Sequence, residues 1–206
     1  QKASANDGGL TGVPTGYVKL DEKTSGWQSS DLVIIAGRPA MGKTSFALSL
    51  AKNIAVDYHV PIAFFSLEMN NVQLVNRLIS NVCEIPGNKM LNGQLTPDEW
   101  DRLDKRIGNL QGAPLYIDDT PGLSIFELRT KARRLVKEKG VKILMIDYLQ
   151  LMNANGMKFG SRQEEVSKIS QSLKGLAKEL DIPILALSQL NRTVENREGL
   201  EGKRPQ

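Results

Sequence analysis

A single cysteine, Cys83, stands among 206 residues. No internal disulfide can form from it and no thiolate cluster can hold zinc, so a reducing compartment such as the cytoplasm is expected. Long hydrophobic runs are missing too. No apolar stretch approaches the ~18 residues that mark a membrane span, and residues 1–9 lack the basic-then-apolar build of a secretory signal. A membrane partner is therefore not expected. Charge of one sign is scarce: 27 basic residues against 23 acidic ones leave +4, which suits a nucleic-acid partner but is too slight to argue for one. There is no repeat of solenoid length and no compositionally simple segment. With 40% hydrophobic residues, the chain can bury one substantial core, and one domain is expected. The polar start QKASANDGG and the basic end EGKRPQ read as segments linked to something larger, with residues 1–9 a flexible linker remnant.

What the sequence does contain is an alternation of strand and helix patterns. Residues 32–36 (LVIIA) are apolar, β-branched and followed by glycine, which predicts a strand buried on both faces. A helical pattern runs from residue 44 to about 56. Residues 61–67 are strand-like, and Val72, Val75, Leu78, Ile79 and Val82 then recur at helical spacing. Thr96-Pro97-Asp98-Glu99 carries a capping-box pattern with proline at the first helical position, and Ser124-Ile125-Phe126-Glu127 repeats the start signal. The helix after Ser124 puts Ile125, Leu128, Ala132 and Leu135 on one face; its many basic residues read as a solvated face. Further strands are predicted at 114–117, 141–146 and 184–187. Before the last of these, Val166, Ile169, Leu173, Leu176, Ala177 and Leu180 trace one helical stripe. The fold class is α/β: a mainly parallel sheet with helices on both faces.

The chemistry is concentrated in Gly37-Arg38-Pro39-Ala40-Met41-Gly42-Lys43-Thr44, a full G-x-x-x-x-G-K-[ST] match between a predicted strand and a predicted helix. The glycines let the backbone curl so that its N–H groups face phosphates at a helix N-terminus. Lys43 reaches the β- and γ-phosphates, the Thr44 hydroxyl suits magnesium, and Ser45 follows in the first turn. A glycine-rich turn without a ligand is the alternative. A P-loop needs a second magnesium anchor, and Asp147, closing ILMI, is placed for it or else caps a strand end. The next residue is Tyr148 rather than the water-activating glutamate of many motor ATPases. Glu68, after the run AFFSL, ends at the same carboxyl edge and is either that base or a solvated glutamate starting the next helix. Ser188 and Gln189 follow ILAL at the same edge, where Gln189 contacts a γ-phosphate or merely caps a turn.

In order and spacing, GRPAMGKTSFAL, FFSLEM, ILMIDYLQLM and LSQLNR resemble replicative helicases of the DnaB type. The lead-in TGVPTGYVKLDEKTSGWQSSDL is similar to that family as well. The resemblance implies a RecA-like P-loop NTPase over residues 10–206, a six-membered ring with ATP and Mg2+ between adjacent subunits, and translocation along single-stranded DNA to unwind duplex in replication. It also implies 5'-3' movement and, as partners, primase and a helicase loader. By the same resemblance the SLEM glutamate, Glu68, activates water, and Gln189 senses the γ-phosphate. The family's chain continues past KRPQ into a segment with a DNA-facing loop and an arginine finger, so the domain is expected to be C-terminally incomplete. Such an arginine contributes about 10³ to 10⁵ in rate, and without it ATP would bind yet turn over slowly. Candidate DNA contacts fall in two polar loops: Lys158, Gly160 and Arg162 in the first, Arg197, Lys203 and Arg204 in the second. Flexible, solvated loops are the competing reading, since Phe159 is the only aromatic in either. Two alternative functions remain at this point: a RecA-like recombinase-type ATPase, or a nucleotide-binding assembly module without turnover.

Overall fold

The computed structural model describes residues 9–153 and 160–190. Its centre is a five-stranded sheet whose registered pairs are all parallel: β1 (Leu32–Gly37), β2 (Ile62–Ser66), β3 (Leu115–Asp118), β4 (Ile143–Asp147) and β5 (Ile184–Gln189), in the order β1-β5-β4-β2-β3. Around it run α1 (Val18–Thr24), α2 (Lys43–Lys52), α3 (Asn71–Cys83), α4 (Gly87–Asn92), α5 (Pro97–Gln111), α6 (Ile125–Lys139) and α7 (Arg162–Leu180).

The period-two alternation of the strands sorts the core onto two faces. Ala63, Phe65, Leu144, Ile146, Ile184 and Ala186 point to one side and pack against Leu128 and Ala132 of α6 and Ile169, Leu173, Leu176 and Ala177 of α7. Ile62, Phe64, Ile143, Met145, Leu185 and Leu187 point to the other and meet Ala47, Leu48, Leu50 and Ala51 of α2 with Leu74 and Leu78 of α3. β2 and β4 are buried at every position, as central strands of a doubly covered parallel sheet must be.

β1 departs from the sequence expectation of burial on both faces. It pairs only with β5 among the described residues, and Ile34 is 45% exposed. On the α6/α7 side only its first residue, Leu32, packs against the core. The apolar run identifies the strand but not which strands pair with it. α3 shows a similar shift, because Leu74, Leu78 and Cys83 are its buried residues while Val72 and Val75 are exposed.

Both capping boxes form. The Thr96 and Ser124 side chains accept from the backbone N–H of Glu99 and Glu127, whose carboxylates accept in return from the cap N–H groups. The helix expected from residue 44 to about 56 is α-helical to Lys52 and continues as a π-helical turn, Asn53–Asp57. Asn53 donates from Nδ2 to the Thr15 carbonyl at 3.3 Å, which fastens the N-terminal segment to the end of α2. Gly16 (φ +77°) allows that approach, because a Cβ there would lie 2.5 Å from Asn53 Nδ2. Among the described residues, no helix is long and apolar enough to cross a membrane.

Candidate nucleotide site

The carboxyl ends of β1, β2, β4 and β5 bring the sequence-predicted site residues to one edge of the sheet. β1 ends at Gly37, and the chain curls through Arg38, Pro39, Ala40, Met41 and Gly42 before α2 begins at Lys43. Ala40 (φ 61°) and Gly42 (φ 78°) both take the left-handed conformation that this curl needs. The N-terminus of α2 has no side-chain cap and no acidic residue in its first turn. Its N–H groups and the positive end of the helix dipole are thus left for an anion. Lys43 Nζ donates to the Arg38 carbonyl at 3.0 Å, which holds the ammonium over the curled loop. Beside the end of β1 lies an apolar hollow of about 450 Å³, where Ile35, Phe46 and Leu190 meet Gly37, Met41 and Lys43. Tyr17 stacks on Phe46 with ring centroids 5.6 Å apart. Asp147, Glu68 and Gln189 do not line this hollow.

Asp147 closes β4 beside Ser66 of β2, and its carbonyl accepts from Leu67 N–H at 2.7 Å. It is 1% exposed, and its Oδ2 is buried with no hydrogen-bond partner. Burial pushes the Asp147 carboxyl above its ordinary range and the charge of Glu68 adds to this, while a hydrogen bond with Thr44 and the charges of Lys43 and Arg77 pull the other way. A desolvated carboxylate oxygen with no partner, beside a threonine hydroxyl, is a donor set that fits a hard divalent cation. Among the described residues no cluster of three or more His, Cys, Asp or Glu side chains could hold a metal. A cation here would draw its other ligands from phosphate oxygens and water.

Glu68 is exposed and lies in a bend before α3, not in the helix. The bend is closed by Ser66, whose Oγ donates to the Met69 carbonyl at 2.7 Å and accepts from Met69 N–H at 3.2 Å. Asn70 caps α3 by accepting from Gln73 N–H, and Asn71 donates from its backbone N–H and its Nδ2 to Asp119. The charge of Glu68 reaches both Asp147 and Tyr148: after burial it is the leading cause that raises the Tyr148 phenol.

Ser188 and Gln189 end β5, and Gln150 fastens them. Sequence patterning does not single this residue out. It follows Asp147 by three positions, and a 3-10 turn, Leu149–Leu151, carries it across to the β5 end. Its only sequence signal is membership of the DYLQ stretch. Arg162, a candidate DNA contact, is occupied within the fold: its guanidinium donates to the Gln150 carbonyl, donates to the Met152 carbonyl at 3.2 Å, and pairs with Glu165. The Gly160 N–H donates to Glu164 at 2.9 Å. Lys158, Arg197, Lys203 and Arg204 lie outside the described residues.

Comparison with known proteins places the chain in a family. Residues 12–206 match the DnaB-like helicase C terminal domain. The chain is 48% identical over 199 residues to the replicative DNA helicase DnaB of Geobacillus stearothermophilus, covering 97% of this chain and 43% of that protein. It is 46% identical over 198 residues to the replicative DNA helicase DnaC of Bacillus subtilis (strain 168), covering 96% and 43%. The chain thus spans less than half the length of these relatives. Among solved structures, a DnaB-like replicative helicase described with its interactions with primase aligns with a TM-score of 0.86 and 38% identity, over 99% of this chain and 48% of that one. A second solved structure, described as an ATPase domain, aligns equally well, with a TM-score of 0.86 and 39% identity, over 98% and 71%. The RecA-like fold expected from the motifs is the fold these two share with the chain.

Proposed function

The chain belongs to the family of DnaB-like helicase C-terminal domains, and from that premise we propose that it is the Mg-ATP-driven motor of a replicative DNA helicase. The observation that carries the chemistry is the buried, unpartnered Asp147 Oδ2 beside Thr44 at the mouth of an uncapped P-loop helix. An ordinary glycine-rich turn has no use for a desolvated carboxylate of this kind.

In this reading the backbone N–H groups of 37–45, Pro39 excepted, and the Lys43 ammonium hold the ATP phosphates, with Lys43 leaving the Arg38 carbonyl for the β- and γ-phosphates. Magnesium, when held by Thr44 and Asp147, would neutralise charge on the β- and γ-phosphate oxygens. Glu68 orients the attacking water and takes its proton as the new P–O bond forms and the bond to the leaving ADP oxygen breaks. Gln189 contacts the γ-phosphate, and loss of that contact on phosphate release is passed to the segment that follows it. Glu68 is exposed in the free chain, and closure of the site around nucleotide would bring it to the water.

Residues 10–206 act as one motor domain. It works in a cytoplasmic homo-hexamer with ATP between neighbouring subunits, an arginine from the neighbour completing the site. Single-stranded DNA passes through the centre in the 5'-3' sense, and primase and a loader bind the assembly; the relatives' names and the neighbour described with its interactions with primase support this reading. For DNA contact, Lys158, Arg197, Lys203 and Arg204 remain candidates, whereas the Gly160 N–H is already taken by Glu164. Arg162 is better suited to holding the base of its loop, since its guanidinium is already engaged. The first test is equilibrium binding of a fluorescent ATP analogue with and without magnesium. Tight, magnesium-dependent binding that Lys43→Ala weakens at least about tenfold, or ~1.4 kcal/mol, is the expected result; binding indifferent to both would overturn the proposal.

A further inference from the structure

The ladder between β4 and β5 stops short of the site. It pairs Leu144 with Ile184, Met145 with Leu185 and Ile146 with Ala186, whereas β5 continues through Leu187 and Ser188 to Gln189. On its other side β5 remains paired with β1 out to Gly37 and Gln189, and the next N–H, that of Leu190, donates to Gly37 at 3.1 Å. Along a strand, successive peptide groups point to opposite neighbours, so the N–H and C=O of Gln189 face the side that β4 has left. Gln189 is exposed there, so a protein partner for these groups fixes their direction rather than rescuing them from burial.

Gln150 supplies what the missing strand would. Its Oε1 accepts from Gln189 N–H at 3.2 Å, its Nε2 donates to the Gln189 carbonyl at 3.1 Å, and the same Nε2 lies 2.9 Å from Ser188 Oγ. A carboxamide carries the same donor and acceptor as a peptide group, which lets one side chain bond both backbone atoms of a residue. Glutamate would lose the donor, and leucine would lose both. Gln150 is itself pinned from behind, because Arg162 at the start of α7 donates to its carbonyl and to that of Met152. The Arg162 clip thus joins the start of α7 to the 3-10 turn after Asp147, and the Gln150 amide joins that turn to the residue proposed to sense γ-phosphate.

We propose that Gln150 is a positioning residue that sets the backbone of Gln189 relative to Asp147 and couples it, through Arg162, to the start of α7. The proposal rests on the assignment of Gln189 as the γ-phosphate contact. Its test uses the full-length protein with Gln150→Ala, Gln189→Ala and the double variant, each measured for ATP turnover with single-stranded DNA and for hydrogen exchange at the Gln189 amide. Loss of the clamp is expected to lower kcat about tenfold while KM for ATP stays within about twofold. The amide of Gln189 should exchange at least about tenfold faster in Gln150→Ala. The double variant should turn over no more slowly than Gln189→Ala alone, because both changes break one route. Gln150→Glu keeps the acceptor for Gln189 N–H but sets a carboxylate against the Gln189 carbonyl, and it should not rescue kcat. Faster exchange with unchanged kcat would overturn the proposal, as would effects of the two single changes that multiply. Slow turnover in Gln189→Ala with normal turnover in Gln150→Ala would overturn the clamp alone. Normal turnover in Gln189→Ala would overturn the sensing role and the coupling route together.

Discussion

Replacing Glu68 by glutamine isolates the proposed general base from everything else at the site. The bonds that fasten its bend come from Ser66, Asn70 and Asn71, and Glu68 is exposed. The isosteric change should therefore alter folding stability by no more than about 0.5 kcal/mol. Its electrostatic effect on Asp147 is favourable to binding. The Glu68 charge is one of the causes, after burial, that raise the Asp147 carboxyl. Removing it makes Asp147 easier to ionise, and magnesium-nucleotide affinity should stay equal or become tighter. Turnover should fall by about 10² to 10⁴, the usual contribution of a positioned base, or roughly 2.7–5.4 kcal/mol of barrier. The assay pairs steady-state phosphate release with equilibrium nucleotide binding on the same preparations. A kcat within about threefold of the parent, with binding intact, would refute the assignment of Glu68; loss of binding would refute the electrostatic argument.

Two further changes probe the site and the frame around it. For Asp147 the folded carboxyl titrates above its unfolded value, so the folded state binds the proton more tightly and this group weighs against folding as pH rises through that window. Asp147→Asn should therefore melt at the same or a higher temperature than the parent at pH 7.5 without ligand. It should also lose the stabilisation of roughly 5–10 °C that magnesium-nucleotide gives the parent at 100 times Kd; a variant that keeps that gain in a thermal-shift assay would count against the cation site. Away from the site, Lys89, with help from the Thr96 cap, holds the Glu99 carboxyl down to about 2. The stability this gives is fully present above the unfolded value of ~4.3 and is lost as pH falls toward the folded one. Glu99→Gln should accordingly lower the melting temperature at pH 7 and make little difference near pH 2, and equal shifts at both would contradict the linkage.

Much of the scaffold was legible because local chemistry and global fold agree in it. ILMID and IAFFS are short, apolar and rich in β-branched or aromatic residues, and they are the central strands. Thr96 and Ser124 announce α5 and α6 through caps that depend only on neighbours three residues away. What stayed hidden depends on contacts between distant segments. Among the described residues β1 pairs only with β5, and the composition of LVIIA carries no trace of which strand it pairs with. Val72 and Val75 share the predicted helical stripe with Leu78, yet of these three only Leu78 is buried, together with Leu74 outside the stripe, and only the position of the sheet decides this. α4 spans six residues and has no side-chain cap, which leaves little pattern to read. At the site, the P-loop, Asp147 and Glu68 were visible as residue types at strand ends, while the bend that carries Glu68 was not. The Gln150 clamp was not, because its purpose appears only where the β4–β5 ladder ends. For Arg162, counting basic residues in a loop suggested a DNA contact, while the fold engages its guanidinium with two carbonyls and a carboxylate.

The measurement that tests the motor assignment most directly is steady-state Mg-ATP turnover by the full-length protein with and without single-stranded DNA, with Lys43→Ala as control. The account predicts turnover that rises several-fold with DNA, as coupling of a few kcal/mol between sites permits, and that disappears in Lys43→Ala. Turnover unaffected by DNA in assembled rings would contradict it and point to a RecA-like ATPase acting on another partner.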